Sequence, residues 1–212
     1  MQNDSKEYII FNNVTPVAIT SSTDATPIVV TATAHGFATG DLVLIFGHAT
    51  NVAANGVYRV TRVSSSTFSL QDKDSNASIA GSGAGAGGGT GFCVAAPKIP
   101  FCEDFRNAVI QVATSGTATT TLKVVGSQGV TGTGNCPNIG GTVSATNPWT
   151  YLEAVDLLDG SSVPGGTGLV VAGTDIVKNI EVNVNTVKFM TIIPISWTQG
   201  AIYARMVLTN NK

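Results

Sequence analysis

Residues 180–197 read IEVNVNTVKFMTIIPISW, and they decide the fold class. Ile180, Val182 and Val184 fall on one side of an extended chain, and Glu181, Asn183 and Asn185 on the other. That period of two, carried by β-branched residues, is the pattern of a half-buried strand. After a short break it resumes with Val187, Phe189, Thr191, Ile193, Ile195 and Trp197. Pro194 interrupts this second run and donates no hydrogen bond, which predicts a sheet edge or a bulge there. Past the turn at Gln199-Gly200, Ile202 to Leu208 alternates again, so two long strands close the chain.

Working outward, almost no helical periodicity appears. Residues 26–47, TPIVVTATAHGFATGDLVLIFG, predict strand, tight turn and strand, with Gly36 and Gly40 supplying turn backbone. Asn55-Gly56 is a turn signal leading into a strand from Val57 to Thr61, and Ser64-Ser65-Ser66 turns the chain into Thr67 to Leu70. Four short strands in so little chain predict a small curled sheet or barrel. Trp149 to Leu158 fits either a strand, with Trp149, Tyr151, Glu153, Val155 and Leu157 on one face, or a short helix started by Asn147-Pro148. The surrounding strands favour the first.

The expected architecture is therefore all-β, in three parts. Residues 1–20 are expected as an extended arm, with the apolar patch Tyr8, Ile9, Ile10 and Phe11 needing somewhere to dock. Residues 21–96 are expected as a small β-barrel-like module ending in the glycine-rich linker GSGAGAGGGTG at 81–91. Residues 97–212 are expected as an antiparallel, jelly-roll-like β-sandwich.

Of 212 residues only 11% are charged, against roughly 25% in an ordinary domain, while 43% are hydrophobic. Eleven basic residues against 13 acidic ones cannot neutralise many phosphates, which excludes a nucleic-acid binder built on a basic patch. No run of about 18 apolar residues predicts a membrane-spanning helix, and the polar start MQNDSKEY lacks the layout of a secretory signal.

Candidate chemistry is sparse. Cys93, Cys102 and Cys136 have no metal or redox spacing and are expected as small buried apolar groups. His35, inside the HGF turn, is expected to bond local backbone, and His48 has no nucleophile or paired carboxylate at a telling spacing. Glu103 and Asp104 are adjacent and face apart in a strand; Glu153, Asp156 and Asp159, each three apart, suit no glycosidase pair. Asp72, Asp74 and Asn76 resemble the opening of a calcium loop, but Ala77 and Gly83 stand where glycine and glutamate belong. The run from Gly81 to Gly91 lacks the lysine and helix of a phosphate cradle. Trp149, Tyr151 and Trp197 are candidates for sugar stacking, with burial the competing expectation. No catalytic, cofactor or metal site is expected, and no enzyme.

ATAHGFATGDLVLIFG (32–47), NGVYRVTRV (55–63) and STFSLQD (66–72) together resemble a small β module recurrent in tailed-bacteriophage virion proteins. That module is compared with the first catalytic-cysteine half-domain of ubiquitin-activating enzymes, a non-catalytic part, so the resemblance implies no ubiquitin chemistry. PFCEDFRNAVIQV (100–112), NPWTYLEAVDLLDG (147–160) and the closing strands are similar in style to phage structural β-sandwiches. The chain departs from them in its glycine-rich stretch between Gly126 and Asn147. The resemblance implies a virion structural protein on the capsid exterior, assembled in the host cytoplasm. A capsid decoration or cement protein is expected, with the major capsid protein as partner and a homo-oligomer, as a trimer, as its state. The alternatives are a tail component (tube, fibre or baseplate) and a host-glycan-binding module.

Overall fold

The computed structural model describes residues 5–82, 91–128, 149–185 and 187–210. The protein is all-β, its sheets are antiparallel, and the one helical turn among the described residues is a 3-10 turn at Val52–Ala54. Two compact units divide the chain, one built from residues up to Thr15 and again from Pro97, the other from Pro16–Ala96.

The first strand, β1 (Ser5–Val14), takes the place of the expected arm: it pairs along β17 (Ala201–Thr209), Ser5 opposite Thr209 and Val14 opposite Ile202. The apolar patch docks on its own body, burying Ile10 and Phe11. Register slips after Ile9 and after Phe11 kink this edge strand, a usual defence of an open edge.

The second unit follows as β2 (Val17–Ala18), β3 (Ser21–Ser22), β4 (Val29–Thr31), β5 (Leu42–Phe46), β6 (Gly56–Arg62), β7 (Thr67–Gln71) and β8 (Phe92–Ala95). Its sheet order is β2-β8-β5-β6-β7-β4-β3. Laid flat, seven strands would separate the two edges by about 29 Å. Yet β2 and β3, at opposite edges, are joined only by Ile19 and Thr20, a reach of roughly 11 Å. The sheet must therefore curl on itself, as the short strands and glycine turns predict. Ile28, Val30, Val43, Ile45, Val60, Phe68 and Leu70 fill the curl, with Cys93 among them.

The first unit resumes with β9 (Asn107–Ser115), β10 (Thr117–Ser127), β11 (Trp149–Tyr151), β12 (Ala154–Asp156), β13 (Ser162–Val163), β14 (Leu169–Thr174), β15 (Val177–Asn183), β16 (Phe189–Trp197) and finally β17. One sheet runs β1-β17-β9-β15-β12-β13; the other centres on β10, with β16 on one side and β14 and β11 on the other. Inward positions are apolar on both: Ile110, Val112, Ile180, Ala204 and Met206 from the first, Leu122, Val124, Val171, Met190 and Ile192 from the second. The alternation is regular along β9 and β17, where every second residue is buried.

The closing strands β16 and β17 are neighbours in sequence but belong to different sheets. The transitions β9 to β10, β14 to β15 and β16 to β17 all change sheet, at Gly116, Asp175 and Gly200, each with positive φ. These corners are stitched together. The Gly116 N–H donates to Asp175 Oδ1 at 2.8 Å, and the Asp175 N–H returns to the Gly116 carbonyl at 3.2 Å. A side chain on Gly200 would meet the Ala118 Cβ at 2.7 Å.

Pro194 sits where the β10–β16 ladder slips, since Thr121 pairs with Ser196 but Leu122 with Pro194. Trp149 to Asp156 is extended and Leu157-Leu158 open a turn, but the segment breaks into β11 and β12 in different sheets, so its expected single face is lost: Trp149 is buried, while Tyr151, Val155 and Leu157 are exposed. Most of the glycine-rich stretch after Gly126, and residues 83–90 of the linker, lie outside the described residues.

Candidate functional site

Because the first unit buries one face of each sheet, its outward positions are what it offers to a partner. On the first sheet these form two clear rows across the strands. Val155, Glu181, Val109, Val207 and Glu7 make one, by the pairings Val155↔Glu181, Glu181↔Val109, Val207↔Val109 and Glu7↔Val207. Asn179, Gln111, Arg205 and Ile9 make the next. Beyond them lie Val177, Ala113 and Tyr203. Ile9 is 42% exposed and Val177 55%. The polar side chains in the middle are already paired: Gln111 Nε2 donates to Asn179 Oδ1 at 3.1 Å, and Arg205 Nη1 lies 3.3 Å from Glu7 Oε1.

The second sheet presents hydroxyls instead. Thr117 faces Thr174, their oxygens 3.2 Å apart, Thr119 faces Ala172, and Thr121 pairs with Val170 on one side and Ser196 on the other. The Ser196 hydroxyl accepts from the Thr121 N–H at 3.2 Å, and Thr198 bonds the Thr119 carbonyl.

In the second unit the conspicuous polar feature is buried. Ser22 Oγ lies 2.9 Å from His48 Nε2, and Asn51 sits beside both. The arrangement has the outline of a nucleophile–base pair, but its protons run the other way. The Asn51 N–H donates to His48 Nδ1 at 3.2 Å, which leaves the ring proton on Nε2, donating to Ser22. Asn51 Nδ2 donates to the same Ser22 oxygen at 3.1 Å and to the Thr23 carbonyl at 3.0 Å. A histidine in this tautomer cannot take the serine proton. Burial lowers the His48 pKa, which favours the neutral ring. Asn55 grips the His48 backbone from both sides, at 2.9 and 2.8 Å. The cluster fastens β3 to the loop after β5, and no local sequence signal marks it, because Ser22 and His48 are 26 residues apart.

His35 does bond local backbone. The Phe37 N–H donates to its Nδ1 at 3.0 Å, its Nε2 donates to the Ser64 carbonyl at 3.2 Å, and its ring packs on Phe37 and Phe68. Glu103 and Asp104 lie in an exposed turn rather than a strand. Glu103 pairs with Lys188 at 3.2 Å beside an open cleft of about 290 Å³ also lined by Gln128, Asn185 and Val187. Asp156 is buried, and its pKa is held down by Lys178 at 2.8 Å and by the Leu158 N–H. Asp159 is likewise lowered by Ser161, and Glu153 bonds Ser162. A glycosidase acid needs a raised carboxyl, and those of Asp156 and Asp159 are shifted downward.

Asp72 spends one carboxylate oxygen on its own loop, accepting from the Asp74 and Ser75 N–H groups and the Ser75 hydroxyl, which also lowers its pKa. Asn76, at φ +59°, completes a polar turn. No group of three metal-binding side chains forms among the described residues. Trp149 is buried, Trp197 donates its Nε1–H to the Gly200 carbonyl at 2.9 Å, and the exposed Tyr151 ring carries Lys123 Nζ at 4.1 Å from its centre. Cys93 and Cys102 are buried thiols pushed up to about 12 by desolvation; Cys136 lies outside the described residues. No helix among the described residues is long and apolar enough to cross a membrane.

No family model matches the chain, and no curated protein does. Among solved structures it is similar to the SPBc2 prophage-derived protein YomS, at 11% identity over 53% of this chain and 79% of that one, with a TM-score of 0.36. It is also similar to the PBSX exported protein XepA, at 10% identity over 98% of this chain and 84% of that one, with a TM-score of 0.35. Similarities of this size assign neither a shared fold nor a role.

Proposed function

We propose that this protein is a non-enzymatic structural component of a tailed-phage virion, and within that class a decoration or cement protein on the capsid exterior. The observation that carries the reading is the first sheet's outer face, broad, poor in unpaired charge and rich in valine. Faces depleted of charge are the compositional mark of stable protein contacts. The 11% charged content extends the same economy to the whole chain. The resemblance of residues 26–72 and 97–212 to phage virion proteins supplies the setting. Jelly rolls are common in viral capsid proteins, and the sheet-changing connections of β9 to β10, β14 to β15 and β16 to β17 suit one.

The mechanism is mass action. A protein that binds the assembled shell and not its parts stabilises the shell by RT ln(1 + [L]/Kd), about 2.7 kcal/mol when its free concentration is 100 times Kd. The partner is the major capsid protein, and assembly takes place in the host cytoplasm. The test is to incubate the purified full chain with emptied heads, with tails and with host glycans, and to sediment each. Decoration predicts recovery with heads. Recovery with tails alone selects the tail reading, and glycan binding without particle binding overturns both.

A further inference from the structure

We infer that the outer face of the first sheet joins two copies of this chain, face to face, about a two-fold axis running along β9. The inference rests on the proposed virion role and deepens it: that face is taken up by a second copy, and the pair meets the capsid through its other surfaces.

Size is the first argument. Four strands showing about seven residues each and the three residues of β12, at about 4.8 Å spacing, present roughly 490 Å² per copy. Two such faces bury about 980 Å², at the lower limit of about 1,000 Å² for a specific protein interface. Desolvation is the second. The central polar groups are matched before any partner arrives, Gln111 to Asn179 and Arg205 to Glu7, so covering them strands few donors or acceptors.

Complementarity is the third, and it selects the occupant. Rotation about β9 reverses the order of strands and keeps the rows. Val109 then meets its own copy at the axis. Tyr203 comes over the partner subunit's Val177, and β1, with Ile9 outward, over the partner subunit's β12. Arg205 comes over the partner subunit's Asn179, one row from the partner subunit's Glu181, which falls over Val207 and whose carboxylate has no ion pair among the described residues. Arg205 holds Glu7 through Nη1 alone, so the rest of its guanidinium fork is left for that carboxylate. The match recurs on the other side of the axis, as an isologous interface requires, and it closes at two copies rather than three.

Sedimentation velocity of the full chain across micromolar concentrations tests this. The wild type is expected to dimerise. Val109→Glu and Val109→Lys each set like charges against each other at the axis and weaken association by about 100-fold or more. Mixing the two variants restores the dimer, because unlike charges then meet. Should either variant lose its strand-rich circular dichroism, Tyr203→Glu poses the same question away from the axis. A wild type that stays monomeric, or an oligomer untouched by both Val109→Glu and Tyr203→Glu, overturns the inference. A monomer that still coats heads overturns this inference alone; a dimer that ignores heads and tails overturns the virion role alone.

Discussion

On β9 and β17 the outward residues are Val109, Gln111 and Ala113 beside Val207, Arg205 and Tyr203; on β10 and β14 they are Thr117, Thr119 and Thr121 beside Thr174, Ala172 and Val170. Both sheets have the same inward chemistry and the same period of two. Their outward chemistry differs because a threonine hydroxyl keeps its bonds in water, while a valine side chain gains roughly 2 kcal/mol only when something covers it. Two faces of one sandwich thus have two uses. The hydroxyl face suits solvent and the aliphatic face suits a partner.

The contrast breaks most visibly within one strand. Ile110 is fully buried and its neighbour Val109 points out. Ile110→Ala is expected to cost about 3 kcal/mol in urea unfolding, and Val109→Ala under about 1 kcal/mol. Equal losses would mean that the outer face is a second core surface. Between the faces, Val207→Glu is expected to weaken association by about 100-fold and Thr119→Glu by no more than about two-fold, read by sedimentation. The reverse ranking would move the docking surface to the other sheet.

Much of this was legible in the sequence. The alternation at 180–184 and 202–208, the turns at Gly36, Gly40 and Gly200, and the slip at Pro194 all follow from local chemistry. What was not legible depends on distant pairing. Glu7 and Arg205 meet across 198 positions, so β1 reads as an arm until its partner is known. The sheet change between β11 and β12 falls at Leu152-Glu153, with no glycine or proline to mark it, and exposed Val155 and Leu157 imitate a buried face. The docking face escaped for a related reason: valines at 109 and 207 look like core until the pairing shows which side they occupy.

Two smaller effects sharpen the contrast from inside. Thr114 lies on the inward side of β9, and its hydroxyl, buried, has no hydrogen-bond partner among the described residues. Thr114→Val is expected to raise stability by about 1 kcal/mol in the same unfolding assay. A loss would point to a bond made by a buried water. In the second unit, His48 has a folded pKa below its ordinary 6.5. The unfolded chain therefore takes up a proton that the folded one refuses. Stability is full above about pH 6.5 and declines as pH falls through the folded value. Thermal unfolding at descending pH is expected to show this slope in the wild type and a flatter one in His48→Gln. Identical slopes would mean that the Ser22–His48–Asn51 cluster is already open.

The most direct measurement is an image of the purified virion at a resolution that places this chain. The account predicts density on the outside of the head, with the Val109–Val207 face covered and the Thr117–Thr119 face toward solvent. Absence of the chain from the particle, or its presence with the valine face bare and the threonine face buried, would contradict it.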